Sequence, residues 1–277
     1  MPIRQLISSG IPTVQFVPGC VKANDFGRME FRPPTNMKID AKERLIVALD
    51  VPDVAAARKM VDELEGVADF FKIGLTLQLA EGVEELIHSL IARGKRVFLD
   101  YKYYDISETL KKAVGRAAKL GVAFLTIHGS SVLIKAAVEG RGSSNMKLFT
   151  VTVLTSLDAG DIAEMGYTNH TVEELVLFRA RKALEAGCDG VIASGREAEK
   201  IKGLSGGKLL VVTPGIRPEG YPTGDQKRST TPREAVAAGA DYLVIGRPIT
   251  NPPDGTPRQA AELVLAEMQS AFDQLPN

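Results

Sequence analysis

The sequence predicts an α/β protein, a (β/α)8 (TIM) barrel in a single domain over residues 41–277 with an N-terminal extension over residues 1–40. Three observations carry this reading. From residue 41 onward short β-branched or aromatic runs alternate with stretches of helical period, and eight such units in about 235 residues is the arithmetic of this barrel. Each run is mostly apolar rather than alternating, as strands covered on both faces of a parallel sheet require. The first run ends in Asp50-Val51-Pro52-Asp53, without the Gly-rich turn that usually marks a doubly wound open sheet.

The elements follow in order. The first strand, Leu45–Leu49, is followed by Asp50 and a helix over Val54–Glu65. The second, Asp69–Ile73, carries Lys72 ahead of Gly74 and leads to a helix over Leu77–Ala92. The third, Arg96–Leu99, runs into Asp100-Tyr101-Lys102-Tyr103-Tyr104-Asp105-Ile106 and the helix Glu108–Leu120. The fourth, Phe124–Ile127, ends at His128 before the helix Val132–Glu139. The fifth, Leu148–Val153, precedes Thr155, Ser156 and the helix Val172–Ala186. The sixth, Gly190–Ala193, ends at Ser194 before the helix Glu197–Lys202. The seventh, Leu209–Val212, opens into Thr213-Pro214-Gly215-Ile216-Arg217-Pro218 and the helix Pro232–Ala238. The eighth, Tyr242–Ile245, ends in Gly246-Arg247-Pro248, and a last helix covers Arg258–Phe272. Residues 1–40 are rich in Pro and Gly and show no sustained period.

Composition narrows the classes. The chain is 44% hydrophobic and 25% charged over 277 residues, which excludes a disordered chain or a coiled coil. Lys+Arg and Asp+Glu are 34 each, so net charge gives no support for nucleic acid as a partner. No apolar run approaches the ~18–20 residues of a membrane span. Val17-Pro18-Gly19-Cys20 faintly resembles a lipoprotein signal, but Ser8, Ser9, Gly10, Pro12 and Gln15 interrupt the apolar stretch before it. Cys20 and Cys188 lie far apart in sequence, which fits a reducing, cytoplasmic setting.

In such a barrel the site lies at the C-terminal ends of the strands. Asp50, Lys72, Asp100, Lys102 and Asp105 fall there and form a set of alternating sign. Asp100 and Lys102 are two residues apart, so in an extended chain they face one side, whereas Asp105 lies beyond the turn. A lysine flanked by carboxylates favours its charged form, which suits a proton donor and not a Schiff-base nucleophile. After the seventh and eighth strands, Gly215 allows close backbone approach and Gly246-Arg247 pairs an N–H with a guanidinium, a combination suited to phosphate. The segment Thr213–Thr231, about 19 residues, is long enough to act as a lid, with Gln226 placed to close over a ligand. His88, His128 and His170 have no metal-like spacing.

Asp100-x-Lys102-x-x-Asp105-Ile106 with Thr109, Val153-Leu154-Thr155-Ser156, Thr213-Pro214-Gly215-Ile216-Arg217-Pro218, Gly224-Asp225-Gln226 and Ile245-Gly246-Arg247-Pro248 together resemble the orotidine 5′-phosphate decarboxylase family. The similarity runs from about Leu45 to Pro248. Tyr103-Tyr104 and Ser107-Glu108 depart from residues common in bacterial members, without replacing a charged group. The resemblance implies decarboxylation of orotidine 5′-monophosphate to uridine 5′-monophosphate without cofactor or metal. It implies Lys102 as proton donor, Asp100 beside the departing carboxylate, Asp50 and Lys72 on the ribose, and Asp105 reaching the partner's site in a homodimer. Ile106, Thr109, Thr155, Ser156 and Pro214 join the substrate site, and Arg217, Gln226, Gly246 and Arg247 hold the phosphate. One alternative, of a different class, is a non-catalytic nucleotide-binding barrel that has kept the phosphate site, against which all five charged groups stand. The nearer alternative is a metal-dependent keto-gulonate-phosphate decarboxylase or hexulose-phosphate synthase sharing the third-strand motif. Gln226 and Lys72 argue against it.

Overall fold

The computed structural model describes residues 39–222, 224 and 227–275. The extension expected over residues 1–40 lies almost wholly outside the described residues, as do Cys20 and Gln226. The strands are β1 (Leu45–Ala48), β2 (Phe70–Gly74), β3 (Arg96–Tyr103), β4 (Phe124–Ile127), β5 (Lys147–Val151), β6 (Gly190–Ile192), β7 (Leu210–Thr213) and β8 (Tyr242–Ile245). They close into a barrel in sequence order, with β8 pairing back onto β1 in parallel. The helices are α1 (Val54–Glu63), α2 (Leu75–Gln78), α3 (Val83–Ala92), α4 (Ser107–Lys119), α5 (Ser131–Arg141), α6 (Ala159–Glu164), α7 (Val172–Glu185), α8 (Gly195–Ser205), α9 (Pro232–Ala237), α10 (Arg247–Thr250) and α11 (Pro257–Phe272). Among the described residues no helix is long and apolar enough to cross a membrane.

Three expectations needed correction. The single helix over Leu77–Ala92 is two, α2 and α3, because Gly82 takes φ 80 and no helix passes through that conformation. The fifth strand stops at Val151, short of Val153. Beyond it side chains replace ladder partners: Arg179 donates to the Thr152 carbonyl and Arg228 to that of Val153. The third strand runs on to Tyr103, past Leu99. Two short helices, α6 and α10, were not anticipated. The first starts at a capping box in which Asp158 accepts from the Asp161 backbone and Asp161 from that of Asp158.

Alternation along the strands sorts side chains into two layers. Val47, Phe71, Ile73, Leu99 and Leu125 pack outward under the helices. Ile46, Phe70, Phe98, Phe124, Phe149 and Tyr242 fill the interior. Phe124 is central, with ring centroids 4.8 Å from Phe70, 4.5 Å from Phe149 and 5.0 Å from Tyr242. Burying each such ring contributes roughly 1.5–3 kcal/mol. Arg96 lies over Phe70 at 4.3 Å and Arg44 over Tyr242 at 5.1 Å. The aromatic layer therefore floors the barrel. Asp189 and Asp241, just ahead of β6 and β8, each accept a neighbouring strand's N–H (Leu148 and Val211) while pairing with Arg141 and Lys202. Cys188 is buried before β6, its thiol pushed up to about 12 by burial.

Candidate active site

The inward positions that hold aromatic rings low in the barrel hold polar groups one step higher. Phe70 is followed by Lys72, Phe98 by Asp100, and Phe124 by Thr126, each two residues on and so on the same face. Lys72 Nζ donates to Asp50 Oδ1 at 2.9 Å and stands 3.6 Å from Asp100 Oδ2. Lys102 Nζ donates to Asp100 Oδ1 at 2.9 Å, and Thr126 Oγ1 donates to the same oxygen at 2.9 Å. Four of the five anticipated charges thus form one continuous array, Asp50–Lys72–Asp100–Lys102.

Gly74 makes the array possible. A Cβ there would lie 2.8 Å from Lys72 Nζ and 3.1 Å from Asp50 Oδ1, so a side chain would displace the pair. Gly246 brings β8 to the same place, its missing Cβ 3.8 Å from Asp50 Oδ2.

Lys102 reaches Asp100 by a route the sequence did not indicate. The chain is not regularly extended there: register between β3 and β4 shifts between Leu99 and Tyr103, and Lys102 has φ 48. Among the described residues it is the one non-glycine residue with positive φ, a conformation costing roughly 1–2 kcal/mol. Its N–H donates to Thr126 Oγ1 at 2.9 Å, so Thr126 fixes both the lysine backbone and the aspartate carboxylate. Thr126 was missed; its signal was a buried hydroxyl in the apolar run Phe124-Leu125-Thr126-Ile127.

Burial alone would raise the Asp100 pKa. The charges of Lys72 and Lys102, with hydrogen bonds from Lys102 and Thr126, outweigh it and hold the carboxyl below its ordinary value. The pKa of His128, half-buried on the neighbouring strand end, is held below its ordinary value by burial and by the charges of Arg179 and Lys102.

Asp105 stays outside the array. It is exposed, and its carboxylate accepts the Ile106 N–H at 2.7 Å. Ile106 (72% exposed) and Thr109 also face solvent. Beside Lys102 a cavity of about 750 Å³ is lined by Tyr104, His128, Met165, Phe178 and Arg179. After β5, Thr155 is buried and Ser156 half-buried.

Across the mouth, Pro214 is half-buried and Arg247 exposed. Arg217 is buried instead, donating to the Ile216 carbonyl at 2.9 Å and the Pro222 carbonyl at 3.2 Å, so it braces the loop. A Cβ at Gly224 would lie 3.5 Å from Arg247 Nη1, which places this loop beside that guanidinium. Both arginines line a cavity of about 410 Å³. Among the described residues no three His, Cys, Asp or Glu side chains gather as a metal-ligand set. The arrangement offers a cation fixed against a half-buried carboxylate at one side and an arginine-lined cavity at the other. It suits an anionic ligand with a second reacting charge at its far end.

Comparisons with known proteins point to one family. A family model described as orotidine 5′-phosphate decarboxylase / HUMPS family matches residues 43–264. A Nitrobacter winogradskyi protein named orotidine 5′-phosphate decarboxylase is 54% identical over 232 residues, covering 84% of this chain and 95% of the relative. A Rhodopseudomonas palustris protein of the same name is 48% identical over 233 residues, covering 84% and 97%. The crystal structure of orotidine 5′-phosphate decarboxylase from Lactobacillus acidophilus superposes with TM-score 0.70 at 34% identity, covering 81% of this chain and 98% of that one.

Proposed function

The chain belongs to the orotidine 5′-phosphate decarboxylase / HUMPS family, and from that premise we propose that it converts orotidine 5′-monophosphate to uridine 5′-monophosphate and carbon dioxide, the last step of de novo pyrimidine synthesis, with neither cofactor nor metal. It is a carboxy-lyase. The observation that carries the detailed reading is the array Asp50–Lys72–Asp100–Lys102, which puts an ammonium and a carboxylate in contact at the mouth.

In the reaction the bond between C6 and the carboxylate breaks, its electron pair stays on C6, and carbon dioxide leaves. The pair lies in the plane of the ring and cannot delocalise into the ring carbonyls. A fixed positive charge then has to do what an electron sink does elsewhere. Lys102 Nζ is placed beside C6, stabilises the developing charge and passes its proton to that carbon. The amine recovers a proton from water. Asp100 adjoins the substrate carboxylate and anchors Lys102. Lys72 and Asp50 bind the ribose hydroxyls, and Lys72 completes the catalytic array. Thr155 and Ser156 face the pyrimidine edge. Gly246 and Arg247 take the phosphate, Arg217 and Pro214 shape the loop around it, and the role expected of Gln226 rests on the resemblance.

Asp105, Ile106 and Thr109 act across a homodimer interface. Exposed Tyr104, Met165 and Phe178, 69%, 57% and 58% accessible, line the cavity beside Lys102 and offer an apolar surface for a second copy. Mixing Lys102→Ala chains with Asp105→Asn chains should restore up to about a quarter of the sites in a symmetric dimer. No recovery refutes the shared site.

A spectrophotometric assay with orotidine 5′-monophosphate in EDTA tests the whole reading. The expected result is full turnover. No turnover rejects the proposed reaction, and turnover that EDTA abolishes and Mg²⁺ restores rejects the metal-free mechanism.

A further inference from the structure

Arg228 stands at the trailing end of the long loop between β7 and α9, and is 7% exposed. Its Nη2 donates to the carbonyls of Val153 at 2.9 Å and Leu154 at 3.1 Å, and its own N–H donates to the carbonyl of Thr155 at 3.2 Å. One residue thus holds three consecutive carbonyls just past β5, where strand pairing has stopped. Nη1 donates to Glu197 Oε1 at 2.7 Å, and the Arg228 carbonyl accepts from Ser194 Oγ at 2.8 Å. The arginine is therefore fixed from α8 and from the end of β6 while it grips the segment after β5.

A peptide unit is planar and trans, so its N–H points opposite to its C=O. Drawing the Val153, Leu154 and Thr155 carbonyls to Arg228 turns the N–H groups of Leu154, Thr155 and Ser156 the other way. Removing two charges from water is a poor route to net stability, because an apolar pair of similar volume often does as well. A guanidinium fork gives geometry that an apolar pair cannot.

We infer that Arg228, held by Glu197, is a positioning residue that sets the Thr155–Ser156 segment for the pyrimidine ring without touching the substrate. This rests on the proposed function, which names what the segment faces. Loss of the arginine weakens recognition of the base more than recognition of the sugar phosphate.

The test compares wild type with Arg228→Met, Arg228→Lys and Glu197→Gln. Affinities for uridine 5′-monophosphate and ribose 5-phosphate are measured by calorimetry, and kcat and KM on orotidine 5′-monophosphate by absorbance. In Arg228→Met the nucleotide should bind about 10-fold more weakly or worse, ribose 5-phosphate should change less than about threefold, and kcat/KM should fall about 100-fold. Arg228→Lys and Glu197→Gln should shift the affinity ratio the same way by less. A ratio unchanged in Arg228→Met, whether both ligands weaken equally or neither does, overturns the inference. If Arg228→Met does not fold, as judged by circular dichroism, the ratio in Glu197→Gln decides by the same criterion. Wild type that fails to turn over orotidine 5′-monophosphate rejects the proposed function instead, so the two failures are distinct.

Discussion

Asp100 and Glu197 are both carboxylates partly or wholly withdrawn from water at the mouth of the barrel, and their pKa values are pushed in opposite directions. Burial works to raise both. At Asp100 it is overcome by the Lys72 and Lys102 charges and by hydrogen bonds from Lys102 and Thr126. At Glu197 it wins over Arg228, and the carboxyl is raised above its ordinary value. The difference lies in how many donors reach each group. Asp100 has a cation near each oxygen and Thr126 besides, whereas Glu197 Oε2 is buried without a hydrogen-bond partner among the described residues. The carboxylate reached by two cations and a hydroxyl is lowered, and the one reached chiefly by a single arginine is raised.

The contrast can be broken most directly at Lys102. Lys102→Ala should lower turnover by roughly 10⁴-fold, the upper range for a positioned proton donor, with uridine 5′-monophosphate still bound. Steady-state kinetics and calorimetry check this; unchanged turnover ends the assignment. Asp100→Asn should cost roughly 10²–10³-fold in kcat, as for one preorganised electrostatic group, and a loss confined to KM would count against it.

A smaller effect concerns the lysine backbone. With φ 48, position 102 suits glycine better than alanine. Lys102→Gly should be more stable than Lys102→Ala by about 1 kcal/mol in urea melts, reversing the usual order. The reverse order would show that the conformation carries no strain.

The smallest effect is the pH dependence, and its sign separates the two carboxylates. The folded pKa of Asp100 lies below the ordinary 3.8, so its contribution is complete above 3.8 and drains away as pH falls through the folded value. The folded pKa of Glu197 lies above the ordinary 4.5, so its contribution is complete below 4.5 and is lost as pH rises through the folded value. Relative to Asp100→Asn, wild type should lose stability on acidification below 3.8. Relative to Glu197→Gln, it should lose stability as pH rises from 4.5. Slopes of the same sign in denaturant melts would erase the distinction.

The strands were legible because each is an apolar run long enough to be buried on both faces, and all eight sit where those runs are. Their ends were less so. Val153 belongs by composition to the fifth strand, but Arg228, 75 residues away, takes its carbonyl. The break at Gly82 was hidden because helical periodicity resumes on both sides of it. The charged array was readable since Asp50, Lys72, Asp100 and Lys102 are costly at strand ends unless paired. Thr126 and Arg228 were not, because a lone hydroxyl in an apolar run and one arginine in a basic pair have no local pattern. Their significance comes only from which distant carbonyls and carboxylates the fold brings to them.

The aromatic floor has a consequence for traffic. Phe70, Phe98, Phe124, Phe149 and Tyr242 stopper the cylinder from below, so the chamber above them is a cul-de-sac. Under the proposed reaction the entering nucleotide, the departing carbon dioxide and the proton that recharges the lysine would share that one doorway.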